Sequence, residues 1–350
     1  MCYLCNMNRK KIKIFSIIAG FILLIAGACG ATVYYYLLYP QFRPEKTVYM
    51  YIDSDDNLDS VYHKLKNAGN PRSMTGFKWM VNKKNYGSRI RTGRYAVKPR
   101  DDAYHLFNRL SAGIQTPMNL TINGVRTRDA LARTISNQLM IDSASIASRL
   151  YDPVFCEQIG YKEETIVSLF IPNTYEVYWN MNVDELFSRM QKEHKRFWND
   201  ERLAKAKNIG MTPEEVCTLA SIVEEETNNA SERPMVAGLY MNRLKKGMLL
   251  QADPTVKFGV GDFGLRRITN QHLQVNSPYN TYKYTGLPPG PIRIPSRKSM
   301  DSVLNYTKHN YLYMCAKEDF SGTHNFATNL KDHMANARKY WKALNERKIF

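Results

Sequence analysis

The 350-residue chain is short of acid: 32 Asp and Glu stand against 49 Lys and Arg, a formal charge of +17. It has no self-similarity at a fixed period, which argues against a solenoid. Glycine (19) and proline (15) are at ordinary levels, which excludes collagen-like and low-complexity classes. Cysteines are few, six in all. Cys156, Cys217 and Cys315 are odd in number and widely spaced, so no disulfide framework is indicated, although one pair among them stays open. Cys2-x-x-Cys5 has no second ligand pair nearby and no histidine spacing suits zinc, so neither metal nor cofactor is expected. What remains is a folded composition, 44% apolar and 23% charged, long enough for two or three domains. The shortage of acid calls for an anionic partner: nucleic acid, a membrane surface or an acidic polymer.

Charge is missing altogether from Ile14 to Phe42. The apolar part, Ile14 to Val33, is about twenty residues, enough to cross roughly 30 Å of hydrocarbon. Tyr34, Tyr35, Tyr36 and Tyr39 follow where amphipathic rings favour headgroups, and Arg9, Lys10, Lys11 and Lys13 precede it without a compensating acid. Positive flanks stay inside, so residues 1–13 are expected in the cytoplasm, 14–39 in the cytoplasmic membrane and the rest outside. A cleaved signal peptide is the alternative, but the run is longer than a usual h-region and no clear small-x-small site follows. Lipoprotein processing at Cys29, after Ala26-Gly27-Ala28, is a third option that lacks the usual preceding Leu. No other segment is long and apolar enough to span.

The exported part reads as α+β in two pieces. Thr47–Ile52 and Thr92–Val97 are strand candidates. Leu58–Ala68, Met74–Val81 and Ala103–Leu110 have helical spacing, the last ending at Gly113. A strand–helix–helix–strand unit over 46–115 resembles a small LysM-like carbohydrate-binding domain. A larger mixed α/β domain over 117–350 follows, with a strand at Met118–Ile122 and helices expected at Arg128–Leu139 and from Asp184 to about Lys207.

Thr212-Pro213-Glu214-Glu215 combines a cap, a first-turn proline and a capping-box acid, so a helix is expected to start there and run to Thr227. It ends in Glu224, Glu225 and Glu226, like charges crowded at the negative end of the helix dipole. A local rule broken without local gain suggests function. At 100° per residue Glu224 shares a face with the small residues Cys217, Ala220 and Ser221, a candidate cleft floor, with Glu226 opposite, near the core, and Glu225 in solvent. Long polar loops are expected at Leu250–Thr255, Ser277–Tyr282 and Gly286–Ile292, where a sugar-binding cleft is an alternative to plain connections.

Leu219-Ala-Ser-Ile-Val-Glu-Glu-Glu-Thr227, Asn242-Arg-Leu244, Gln251-Ala-Asp-Pro-Thr255, Ser277-Pro-Tyr-Asn-Thr-Tyr282, Gly286-Leu-Pro-Pro-Gly290 and His324-Asn-Phe326 together resemble the MltG (YceG-like) endolytic murein transglycosylases. The likeness runs over nearly the whole chain. It departs from the family at Ala252, where Thr is usual, and at Asn173, where Asp is frequent. The resemblance implies cleavage of the MurNAc-β-1,4-GlcNAc bond within nascent glycan strands, leaving 1,6-anhydro-MurNAc ends and terminating elongation. It also implies peptidoglycan strands, the inner membrane and peptidoglycan synthases as partners, with nucleic acid excluded by export. By the same resemblance Glu224 is the catalytic acid, with Glu226 the second choice. Gln251, Asp253, Asn280, Tyr282 and His324 are implied as substrate-binding or as structural support for the site. One carboxyl is enough when the sugar's own C6 hydroxyl attacks, whereas ordinary glycosidases need two. The rival readings are a non-catalytic cell-wall-binding scaffold and a hydrolase of the same bond, in which Asp253 would be the second carboxylate.

Overall fold

A computed structural model describes residues 9–265 and 267–347, so Cys2 and Cys5 lie outside the described residues. The chain divides into two compact units: residues up to 118 together with 176–180, and 119–175 together with the chain from 181 onward.

The first unit begins with α1 (Arg9–Val33), extended by one wider turn over Tyr34–Leu38. Among the described residues this is the one helix long and apolar enough to cross a membrane, 28 residues from Lys11 to Leu38. Strands β1 (Val48–Ile52) and β2 (Gly93–Val97) pair antiparallel, Val48 opposite Val97 and Ile52 opposite Gly93. Alternation sends Met50, Ile52, Tyr95 and Val97 inward. They meet Val61 and Leu65 of α2 (Leu58–Gly69), Phe77 and Val81 of α3 (Thr75–Lys83), and Leu106 and Leu110 of α4 (Ala103–Ala112). Asn57 and Ser60 close a capping box on α2, and Gly113 stops α4 in the left-handed conformation. The strand–helix–helix–strand–helix order is the one the spacing predicts.

Strand β3 (Met118–Ile122) pairs with β4 (Asn173–Val177), and within the second unit Thr121 and Thr174 share a hydroxyl–hydroxyl bond of 3.1 Å. The short helices α5 (Arg128–Ser136), α6 (Ser143–Leu150) and α7 (Pro153–Gln158) lie between them in sequence. The long helix expected from Asp184 is two: α8 (Val183–Phe197) and α9 (Asp200–Asn208). Asn199 ends the run because its side chain accepts the Arg202 N–H and caps a new helix. The core gathers around α10 (Pro213–Glu226), whose residues Val216 to Val223 are all buried. Against it pack α11 (Arg233–Lys245), α12 (Asp253–Val260) and α13 (Arg297–Leu304), with Leu219, Ile222, Val236, Leu239, Ile292 and Val303 at the centre. The hairpin β5 (Tyr313–Ala316) and β6 (His324–Ala327) is backed by α14 (Leu330–Glu346). Cys29, Cys156, Cys217 and Cys315 are all free.

Candidate active site

Helix α10 positions the acidic triplet. Thr212 accepts the Glu215 N–H at 3.2 Å while Glu215 accepts the Thr212 N–H at 2.8 Å, and Pro213 occupies the first turn. The start of the helix is therefore as the sequence predicts, and its far end delivers three glutamates into three different environments.

Glu224 does not floor a cleft. Its Oε2 accepts from the Ser296 backbone (2.8 Å), the Ser296 hydroxyl (2.5 Å) and the Ser299 hydroxyl. Arg293 Nε stands 3.3 Å from Oε1 and Arg233 Nη1 3.7 Å from Oε2. Burial works to raise this carboxyl, but the serine hydrogen bonds and the Arg293 charge outweigh it and hold its pKa below the ordinary value. A group held as the anion by three hydrogen bonds and two arginine charges has no proton to give. Glu224 ties the end of α10 to the start of α13.

Glu225 is not left to solvent alone. Arg126 Nη2 bonds both its oxygens at 2.8 and 2.9 Å, and Arg293 adds a bond of 2.6 Å. Arginines thus offset the like-charge crowding that made this helix end look costly.

Glu226 is the exception. It is half-buried and accepts one hydrogen bond, from Tyr240 Oη on α11 at 2.8 Å. Burial pushes its carboxyl up to about 7; the Tyr240 bond and Arg243 pull against this, while the charges of Asp253 and Glu225 add to it. The geometry thus reverses the order of the two candidates: Glu226, rather than Glu224, carries a proton near neutrality.

Around Glu226 the motifs form a polar knot. Asp253 Oδ1, in the first turn of α12, accepts from Tyr282 Oη at 2.6 Å. The loop expected at 250–255 is helical from Asp253 onward, because Pro254 is where a helix tolerates proline. Thr281 Oγ1 accepts the Ala252 N–H at 3.0 Å and meets Thr255 Oγ1 at 2.7 Å, joining two motifs. Gln251 sits in left-handed backbone (φ 48), unusual for a non-glycine, with its N–H bonded to Thr281 O at 3.1 Å.

Asn280 is fully buried. Its amide donates to Leu273 O (3.0 Å) and Val275 O (2.9 Å), and its Oδ1 accepts the Tyr282 N–H (3.0 Å). Sugar contact does not suit a side chain so enclosed and engaged; Asn280 is structural. His324 is brought not to Glu224 but to Glu232, whose carboxylate receives both the His324 N–H and Nδ1 at 2.7 Å. Asn242 donates to His309 O (2.7 Å) and Tyr311 O (3.0 Å), and buried Arg243 to Leu250 O and Leu312 O, both at 2.7 Å. These two residues brace the site from behind.

Beside the knot opens a cleft of about 1010 Å³, bounded by Glu225, Asp253, Lys257 and Arg267 on one side and by Tyr340, Trp341 and Leu344 of α14 on the other. Trp341, half exposed, was not singled out in the sequence. Its only signal there was a tryptophan among the polar residues of an amphipathic C-terminal helix.

An acid of raised pKa, a neighbouring carboxylate and an open cleft with an aromatic wall suit acid–base chemistry better than a passive scaffold. The model of the YceG-like family matches residues 50–339, and the chain belongs to that family. An endolytic murein transglycosylase of Bacillus subtilis is 27% identical over 328 residues, covering 89% of this chain and 90% of that protein. One from Streptococcus pneumoniae is also 27% identical, over 372 residues, covering 95% of this chain and 66% of that protein. The crystal structure of a YceG-like protein from Listeria monocytogenes has a TM-score of 0.56 and 25% identity, covering 83% of this chain and 99% of that one.

Proposed function

We propose that the chain is a peptidoglycan lytic transglycosylase that cuts within glycan strands and uses Glu226 as its single acid and base. The observation that carries this reading is the contrast between the neighbouring glutamates. Glu224 is locked as an anion, and Glu226 has its pKa pushed up to about 7. A carboxyl poised near the working pH is suited to both halves of the reaction.

In the first half Glu226 gives its proton to the glycosidic oxygen as the bond from C1 of MurNAc to that oxygen breaks. Positive charge then develops on the ring, and the Asp253 carboxylate, oriented by Tyr282, is near enough to act on Glu226 and to stabilise that charge. In the second half the C6 hydroxyl of the same sugar attacks C1, and its proton passes to the Glu226 carboxylate. The 1,6-anhydro ring closes, the acid is restored, and no water is consumed. The aromatic wall at Trp341 offers a stacking surface for the sugar rings.

The first unit is read as a LysM-like glycan-binding module, on its two-stranded sheet with two helices between the strands. Helix α1 is read as a membrane anchor with the N-terminus in the cytoplasm, on its length and the basic residues in its first turns. Peptidoglycan synthases in the same membrane are the partners that such an enzyme would meet as strands emerge.

The test is digestion of purified peptidoglycan with mass spectrometry of the products. Anhydro-MurNAc ends, absent with Glu226→Gln and still formed by folded Glu224→Gln, are expected. Reducing ends instead would assign hydrolysis with Asp253 as second carboxylate. Full activity in Glu226→Gln would remove the proposed acid.

A further inference from the structure

We infer that helix α3 lies in the headgroup layer of a phospholipid bilayer, anchored by Trp79, with an acyl chain filling a notch between α3 and the end of α1. This rests on the reading of α1 as a membrane anchor.

The connection from α1 to the body of the first unit has no slack. Gln41 and Phe42 both donate their N–H to Asp101 O at 3.0 Å, and Phe42 is wholly inside the core. The buried Gln41 side chain donates back to Tyr35 O at 2.5 Å, and the Arg72 guanidinium lies 5.2 Å from the Tyr39 ring centre. At Gly76 the two helices touch backbone to backbone. A Cβ there would stand 1.9 Å from the carbonyl oxygen of Tyr36, so only glycine fits. The depth of α3 is therefore set by the depth of α1.

That depth follows from length. Twenty-eight residues at about 1.5 Å each span about 42 Å, against roughly 30 Å of hydrocarbon. The last residues, Tyr34–Leu38, then fall at the headgroups, with Thr32 and Val33 at the edge of the acyl region. A notch of about 350 Å³ joins Thr32, Val33, Tyr36 and Leu37 to Gly76 and Trp79. Its lining is almost wholly apolar, and Trp79 beside it is 54% exposed.

The rest of α3 suits the same place. Phe77, Met80 and Val81 turn into the core, and Thr75, Lys78, Trp79, Asn82 and Lys83 share the exposed face. Tryptophan favours the interface, the two lysines match lipid phosphates, and the helix carries no acidic residue. A water-facing helix gains nothing from a half-exposed tryptophan at its centre. One that meets a bilayer does.

The full chain is reconstituted in vesicles of phosphatidylglycerol and phosphatidylethanolamine carrying bromines near the top of the acyl chain. Part of the tryptophan emission is expected to be quenched, and that part is expected to vanish in Trp79→Phe. A thermal transition unchanged from wild type shows that the variant is folded. Quenching that persists in Trp79→Phe overturns the inference. A protein that resists alkaline carbonate extraction but shows no quenching refutes the placement of α3 alone. One that washes off refutes the anchor itself.

Discussion

Glu226 combines two demands that oppose each other. A carboxyl that holds its proton more tightly when folded than when unfolded makes the folded state take up protons between the ordinary value of 4.5 and about 7. Its contribution to stability is present in acid and is lost as pH rises through 7. Replacing it with Gln removes the charge that forms above pH 7. Glu226→Gln is therefore expected to be more stable than wild type at pH 8, by about 1–3 kcal/mol, and equal to it near pH 4, as chemical denaturation measures. The same titration governs catalysis. Wild-type kcat/KM should fall as pH rises above about 7, because the acid form is lost; a profile flat to pH 9 would exclude Glu226 as the acid. Glu224→Gln is expected to behave in the opposite way on stability, losing about 1–3 kcal/mol because Arg233 and Arg293 then face a neutral amide.

At the scale of elements, the site depends on bonds between loops as much as on helices. Asn280→Ala leaves the Tyr282 N–H and two carbonyls without their partner and is expected to cost about 1–3 kcal/mol, with KM nearly unchanged in whatever folds. Trp341→Ala is the converse. It stands at the cleft wall, so KM for glycan strands is expected to rise about tenfold, with the melting temperature little changed. Element starts were legible where side chains cap the backbone, as at Asn57 and Thr212, because capping is local chemistry. The break at Asn199 and the helix from Asp253 were missed. In the first a residue read as helix interior is the N-cap of a new helix, and in the second residues read as loop form a helix's first turn. The order of the glutamates was not legible for a different reason. Helical periodicity places side chains on faces, but Ser296, Ser299 and Arg293, which trap Glu224, come from a distant stretch of chain. The conversion of Asn280 from candidate sugar ligand to internal brace has the same origin.

For the whole molecule, the surplus of positive charge is partly spent on order. Arg126 and Arg293 neutralise the end of α10, Arg243 holds two carbonyls behind the site, and Arg109 clamps Asp101 at the junction with the N-terminal helix. On the proposed anchoring, removing residues 1–39 is expected to leave a protein that stays in solution without detergent, as sedimentation measures, while cleavage of isolated peptidoglycan persists.

The glycine contact between α3 and Tyr36 also makes the N-terminal helix part of an angular mechanism. Because one residue advances a helix by about 100°, inserting a single alanine after Val33 would turn the apolar length of α1 by more than a quarter turn against the body it carries. On the proposed anchoring, whatever meets that helix inside the membrane is thereby fixed in azimuth as well as in height. Exchanging α1 for a foreign helix of equal length but different phase would rotate that body away from those neighbours.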